Sequence, residues 1–170
     1  MEIKKVSYNR YLQKALDSLK SSGAFLTVHD GERLNTMTIG WVTTGIIWGK
    51  PMMMVLVRKS RFTYNLIEKA KDFTVSFDFN GNMKKELSFC GSNSGRDVNK
   101  FEEADIDILE SKNICTPFIK DCNLFYECKI KFKNEMSSKE IEKDLKQKWY
   151  AEDNYHVIYY GEIIGSYLIV

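Results

Sequence analysis

The spacing of apolar residues changes several times along the chain, and each change predicts an element. In residues 8–20 the apolar positions are Tyr8, Tyr11, Leu12, Ala15, Leu16 and Leu19, with Asp17 and lysines on the remaining positions. Steps of three and four predict a helix, and Ser21-Ser22-Gly23 is where it should stop. Residues 24–28 read as a short strand. His29-Asp30-Gly31-Glu32 reads as a hairpin turn, because Asp-Gly tolerates the positive φ values that a tight turn needs. Residues 34–43 read as the return strand. There Met37, Ile39 and Trp41 alternate with Thr36, Thr38 and Gly40, so one face is apolar and the other small and polar.

Residues 52–57 lack alternation and read as a strand buried on both faces. Ser60 is placed to cap a helix containing Phe62, Leu66, Ile67 and Ala70. Residues 73–79 alternate cleanly as a strand that Asn80-Gly81 ends, and residues 83–89 read as a short helix. Leu124, Tyr126, Cys128, Ile130 and Phe132 alternate with Glu127 and lysines, which predicts a strand with one wet face. Ser137 and Glu140 form a capping-box pattern, with Met136 able to staple onto Ile141. A helix carrying Ile141, Leu145 and Trp149 on one side should follow. Residues 155–164 and 166–170 read as closing strands. Many short strands with few helices predict a barrel rather than alternating βαβ units. No Gly-x-Gly-x-x-Gly follows a strand, which argues against a dinucleotide-binding Rossmann domain.

A chain of 170 residues fits a single domain over 1–170, and its 44% hydrophobic content can fill a core. Charged residues make up 28% and the net charge is +2, which argues against a nucleic-acid partner held through phosphates. The longest apolar run lies between Pro51 and Arg58, too short to cross a bilayer, and Met1-Glu2-Ile3-Lys4-Lys5 lacks the apolar core of a secretory signal. These features predict a soluble, cytoplasmic protein with no membrane partner. Cys90, Cys115, Cys122 and Cys128 form no Cys-x-x-Cys pair, and only His29 and His156 could join them. Reduced, mostly buried thiols are expected, with no metal site.

Candidate chemistry gathers in three polar stretches at predicted element ends. In Arg58-Lys59-Ser60-Arg61-Phe62-Thr63 a buried strand delivers cations and hydroxyls to the start of a helix, a composition suited to an anion. A solvated basic loop with a capping serine has the same composition. Asn35-Thr36-Met37-Thr38-Ile39-Gly40-Trp41 offers donors and acceptors beside Met37 and Trp41, as the edge of a polar heteroaromatic ring requires, although a half-buried strand with threonines on its wet face looks alike. Phe89-Cys90-Gly91-Ser92-Asn93-Ser94-Gly95-Arg96 leads to Lys100-Phe101. Gly91 and Gly95 permit close backbone approach, and Asp97 has Arg96 and Lys100 as local charge partners. Cys90 reads as packing rather than as a nucleophile. A lone histidine in a strand, like His156, is more often structural than catalytic.

In order and spacing the three stretches, with Lys50-Pro51, Ser94-Gly95-Arg96-Asp97 and Glu127-Cys128-Lys129, resemble the flavin reductase-like, FMN-binding split-barrel family, which includes flavoredoxins. The resemblance implies a mainly β fold with flanking helices, a six-stranded Greek-key split β-barrel, and a homodimer with FMN near the interface. It implies that Asn35, Met37, Thr38 and Trp41 lie along the flavin ring and ribityl. Arg58, Lys59, Ser60, Arg61 and Thr63 would surround the phosphate, and Cys90, Gly91 and Lys100 would line the other side. His156 approximates a family histidine on the nicotinamide side and is the one candidate catalytic residue. The chain has no Gly-Asp-His triplet, which weakens the case for an oxygenase partner. The implied activity is NAD(P)H-dependent reduction through FMN, with NADH or NADPH as donor and free flavin, oxygen or an electron-acceptor protein as acceptor. The alternatives are a flavoredoxin-like electron carrier and a non-catalytic ligand-binding module.

Overall fold

The computed structural model describes residues 2–169. Its strands are β1 (Ile3–Lys5), β2 (Ala24–His29), β3 (Leu34–Ile39), β4 (Val42–Ile47), β5 (Lys50–Arg58), β6 (Asp72–Phe77), β7 (Ile108–Leu109), β8 (Phe118–Ile119), β9 (Leu124–Glu135) and β10 (His156–Ile169). The helices are α1 (Leu12–Ser21), α2 (Phe62–Ile67), α3 (Lys84–Ser92), α4 (Lys100–Glu103) and α5 (Lys143–Trp149). One antiparallel sheet runs in the order β3-β2-β6-β9-β10-β5-β4, with β1 added on β10, while β7 and β8 form a separate small ladder.

The two ends of that order are neighbours in sequence. Only Gly40 and Trp41 separate β3 from β4, so the Cα atoms of Ile39 and Val42 lie at most about 11 Å apart. The sheet therefore curls until its ends nearly meet, leaving a barrel split along one seam. The expected single strand over 34–43 is bent at this corner. Counted by ladders the sheet has eight strands. Only the bend at Gly40-Trp41 separates β3 from β4, and β1 is three residues long.

Inside the barrel, Leu26, Val28, Val55, Val57, Phe73, Val75, Tyr126 and Tyr159 form the main core. The opposite face of β2 and β9 packs a second cluster, with Phe25 and Phe125 against Leu87, Phe118 and Ile119. On β5 only one face is fully covered, since Met54 and Leu56 are half-buried between buried Met53, Val55 and Val57. The two expected closing strands are one, β10, because Gly165 falls at a register shift rather than a turn. Val170, which the sequence assigns to the last strand, lies outside the described residues.

Two helix starts differ from expectation. Residues 7–10 form a turn in which the Arg10 N–H donates to the Ser7 carbonyl, so α1 begins at Leu12. Ser137 and Glu140 likewise close a turn, Glu140 N–H donating to the Ser137 carbonyl, and α5 begins only at Lys143. The Tyr150 hydroxyl lies 3.3 Å from the Met136 sulfur. No α5 residue is buried, so no apolar face draws the helix back towards Ser137.

Candidate functional site

Because the barrel is split, a cleft runs along its seam. One lobe lies between β3, the start of α2 and the segment after α3, and is lined by Asn35, Ser60, Thr63, Gly91, Ser94, Gly95 and Arg96 among others. The second lobe lies over the seam itself, against Ile39, Trp41, Leu56, Arg58, Trp149 and His156. The lobes meet at Met37, Thr38 and Arg61. The cleft brings together every sequence-nominated residue except Lys59. Its lining holds four cations, Arg58, Arg61, Arg96 and Lys100, and no carboxylate.

Buried polar contacts fix the first lobe. Asn35 and Thr63 are almost fully covered, and the Asn35 amide donates to the Thr63 hydroxyl at 2.8 Å. Gly95 presses on this pair: a Cβ there would meet Asn35 Oδ1 at 2.2 Å and Phe62 Cδ1 at 2.7 Å. Glycine is thus the residue that lets the 93–96 segment close against β3. Thr38 donates from its hydroxyl to the Leu87 carbonyl, joining β3 to α3. Lys100 is buried, and its ammonium donates to the carbonyls of Thr36 (3.0 Å) and Cys90 (2.7 Å). Burial, reinforced by the Arg61 charge, holds its pKa below the usual lysine value. Lys100 acts as an internal pin between β3 and the end of α3. The Thr36 carbonyl it meets lies on the outer edge of β3, and strand alternation turns the Thr38 backbone N–H and C=O the same way.

The four nominated cations and hydroxyls of the 58–61 stretch divide sharply. Arg58 donates to the carbonyls of Asn154 (2.5 Å) and Trp149 (2.9 Å) and sits 5.0 Å from the Tyr150 ring centre. Its guanidinium thereby fastens the segment between α5 and β10 to the cleft wall. Lys59, in the turn that follows β5, points away from the cleft and pairs with Glu135 at 2.6 Å on the surface. Ser60 is not the helix cap. Arg61 occupies that position with no side-chain cap, and the Ser60 hydroxyl accepts from the Asn154 amide at 2.7 Å. The Arg61 guanidinium has no hydrogen-bond or ion-pair partner among the described residues, and it borders both lobes. Arg96 donates to the Ser60 carbonyl (3.1 Å) rather than pairing with Asp97.

The seam lobe is aromatic. Trp41 lies edge-on to Trp149 (5.2 Å between ring centres) and 4.8 Å from His156. His156 is 7% exposed, and its Nδ1 lies 2.8 Å from the Tyr150 hydroxyl. Burial, helped by Arg58 and Arg61, lowers its pKa to about 4. The imidazole is therefore neutral at pH 7, and a neutral ring accepting from Tyr150 at Nδ1 carries its proton on Nε2. Cys90 is buried, and burial pushes its thiol up to about 11, so it is not a thiolate at neutral pH. Of the four free cysteines only Cys115 is exposed.

Trp149, Tyr150 and Asn154 reach this site without any local signal in the sequence. They come from about ninety residues beyond Arg58 and Ser60, and only the β5–β10 pairing (His156 opposite Arg58) brings them there. Among the described residues no helix is long and apolar enough to cross a membrane, and no group of His, Cys, Asp and Glu is arranged to hold a metal ion.

The family model for the flavin reductase like domain matches residues 16–169. An uncharacterized protein of Archaeoglobus fulgidus is 30% identical over 115 residues, which are 68% of this chain and 64% of that protein. The chain thus matches somewhat less than two thirds of that relative's length. Among solved structures, flavoredoxin from Methanosarcina acetivorans is 27% identical with a TM-score of 0.68, over 86% of this chain and 67% of that one. An FMN-binding domain of a flavin reductases-like enzyme from Shewanella baltica has the same TM-score at 21% identity, over 98% of this chain and 77% of that one.

Proposed function

The chain belongs to the flavin reductase-like domain family, and from that premise we propose that it binds FMN in the seam cleft and works as an NAD(P)H-dependent oxidoreductase. The observation that carries this reading is the charge of the lining: four cations and no carboxylate, in a chain whose total of 25 basic and 23 acidic residues is nearly balanced. Taking cations out of water without counter-charges is costly, and a dianionic phosphate would neutralise the surplus. Bound FMN would supply the redox chemistry, accepting electrons from NADH or NADPH and handing them to an acceptor.

The residues present fit that group. Arg61 is the cation available to the phosphate, with Ser94, Arg96 and the Ser60 backbone beside it. The edge of β3 at Thr38 offers a backbone donor and acceptor to a ring edge, while Met37 and Trp41 offer apolar contact. Trp41 and Trp149 narrow the seam lobe and limit water at the ring. Neutral His156 presents one N–H and no charge, so its role is to orient a donor rather than to take a proton. Arg58 and Lys100 hold the walls of the cleft.

A second reading, an electron carrier with little direct NAD(P)H activity, is favoured by the similarity to a flavoredoxin. The absorption spectrum of the purified protein tests both readings. Flavin bands, or their appearance with added FMN, support the cleft, and a protein that ignores FMN refutes it. Rapid bleaching of those bands by NADH or NADPH separates reductase from carrier.

The reading includes a homodimer and a cytoplasmic location. Trp48 (63% exposed) and Phe132 (48% exposed) form an aromatic patch with Tyr160 on the outer face of β9 and β10, as a surface awaiting a second copy would. Sedimentation of wild type and Trp48→Glu checks it: a dimer that the substitution splits is expected, and a wild-type monomer refutes it.

A further inference from the structure

A second groove lies beyond the wall made by Gly95 and Arg96. It is bordered by Arg33, Phe62, Arg96, Asp97 and Val98, and it shares Asn35, Phe62, Gly95, Arg96 and Lys100 with the polar lobe of the cleft. The two depressions therefore lie on either side of a common wall. Two guanidiniums converge on the Phe62 ring, Arg33 at 5.4 Å and Arg96 at 5.8 Å from its centre. Arg33 has one ion-pair partner, Asp30 at 3.6 Å, and Arg96 donates one bond to Ser60. Each guanidinium carries five N–H donors, so both keep unused donors beside a flat, half-buried aromatic surface. Asp97 is the one carboxylate on the groove's border, against the cations Arg33, Arg96 and Lys100.

A mononucleotide with its ring in the seam and its phosphate at Arg61 ends at the near side of this wall. Whatever reaches Arg33 must extend past that phosphate with a second anionic group and a further flat ring. Planar cations over an aromatic ring match both parts, since guanidinium grips phosphate with paired bonds and stacks on nucleobases. We propose that Arg33, Phe62 and Arg96 form a subsite for the adenylate end of a dinucleotide, either a flavin dinucleotide occupying the cleft or the nicotinamide dinucleotide that serves as donor. The proposal rests on the assignment of the cleft to FMN.

The test uses Arg33→Ala, because Arg33 borders the second groove and not the FMN cleft, and it is solvent-exposed so that folding is preserved. Flavin fluorescence titrations with FMN and FAD, and titration of the FMN-loaded protein with NADPH, are compared between wild type and variant. The variant should hold FMN within twofold and lose roughly tenfold for one dinucleotide, the size of one charge-assisted contact. Arg33→Glu should deepen that loss. A loss for FAD alone identifies the flavin dinucleotide, and a loss for NADPH alone identifies the donor. Unchanged affinity for both dinucleotides, with FMN still bound, overturns the subsite. A wild type that binds no FMN overturns instead the reading on which the subsite rests.

Discussion

Acidification should destabilise this protein well before its carboxylates titrate, through His156. The side chain is 7% exposed, packed against Trp41 and bonded to Tyr150, with Arg58 and Arg61 nearby. Burial and the two arginines hold its pKa near 4, against 6.5 in an unfolded chain. Between those values the unfolded chain binds the extra proton, so stability is constant above about pH 7 and falls as the pH drops towards 4. At 1.36 kcal/mol per unit the whole effect is capped at about 3 kcal/mol, and about 2 kcal/mol of it is lost by pH 5. That is a large share of a typical 5–15 kcal/mol fold stability. Urea unfolding at pH 7 and pH 5 measures it, with His156→Gln as the control because glutamine can accept from Tyr150 without titrating. Asp30, Glu68 and Glu162 are also held below their usual values, but they lose stability at lower pH and equally in both proteins. The wild type should lose about 2 kcal/mol more than the variant. Parallel losses would refute the buried, neutral imidazole.

Three further outcomes follow from the cleft. Gly95→Ala forces a methyl group onto Asn35 and Phe62; overpacking there should cost about 1–3 kcal/mol in urea unfolding and weaken FMN binding, and an unchanged protein would show that the segment moves freely. Arg61→Ala should weaken FMN by about 1.5–3 kcal/mol in a titration while Lys59→Ala changes nothing, because Lys59 is engaged by Glu135 outside the cleft; equal effects would refute that division. Iodoacetamide on the native protein at pH 7.5 should label Cys115 and spare Cys90, read by mass spectrometry, since one is exposed and the other is a buried thiol with a raised pKa; early labelling at Cys90 would contradict it.

Most elements were legible because they follow local rules. Alternation through 73–79 and 124–133 marked β6 and β9, and Asp-Gly marked the β2–β3 turn. The errors arose where tertiary contacts override local pattern. Gly40-Trp41 continues a perfect alternation, yet it turns the chain from one end of the sheet to the other. The Ser137 capping box is sound local chemistry, but no buried face follows it to extend the helix. At the site, residue type pointed to stretches that the fold brings to one cleft, and not to the individual contacts. Arg58 carries the charge and the position of an anion ligand, and only the return of β10 shows its guanidinium holding the Trp149 and Asn154 carbonyls.

An unzipped barrel leaves β3 with no partner strand along its outer rim, and the stretch of that rim beyond Lys100 is a template for another chain. A flat heterocycle with alternating donors and acceptors along one side would serve there as a surrogate strand, blocking the rim as a neighbouring strand does elsewhere in the sheet. Protein stripped of such a plug would then clump on storage, and restoring it would act as a preservative.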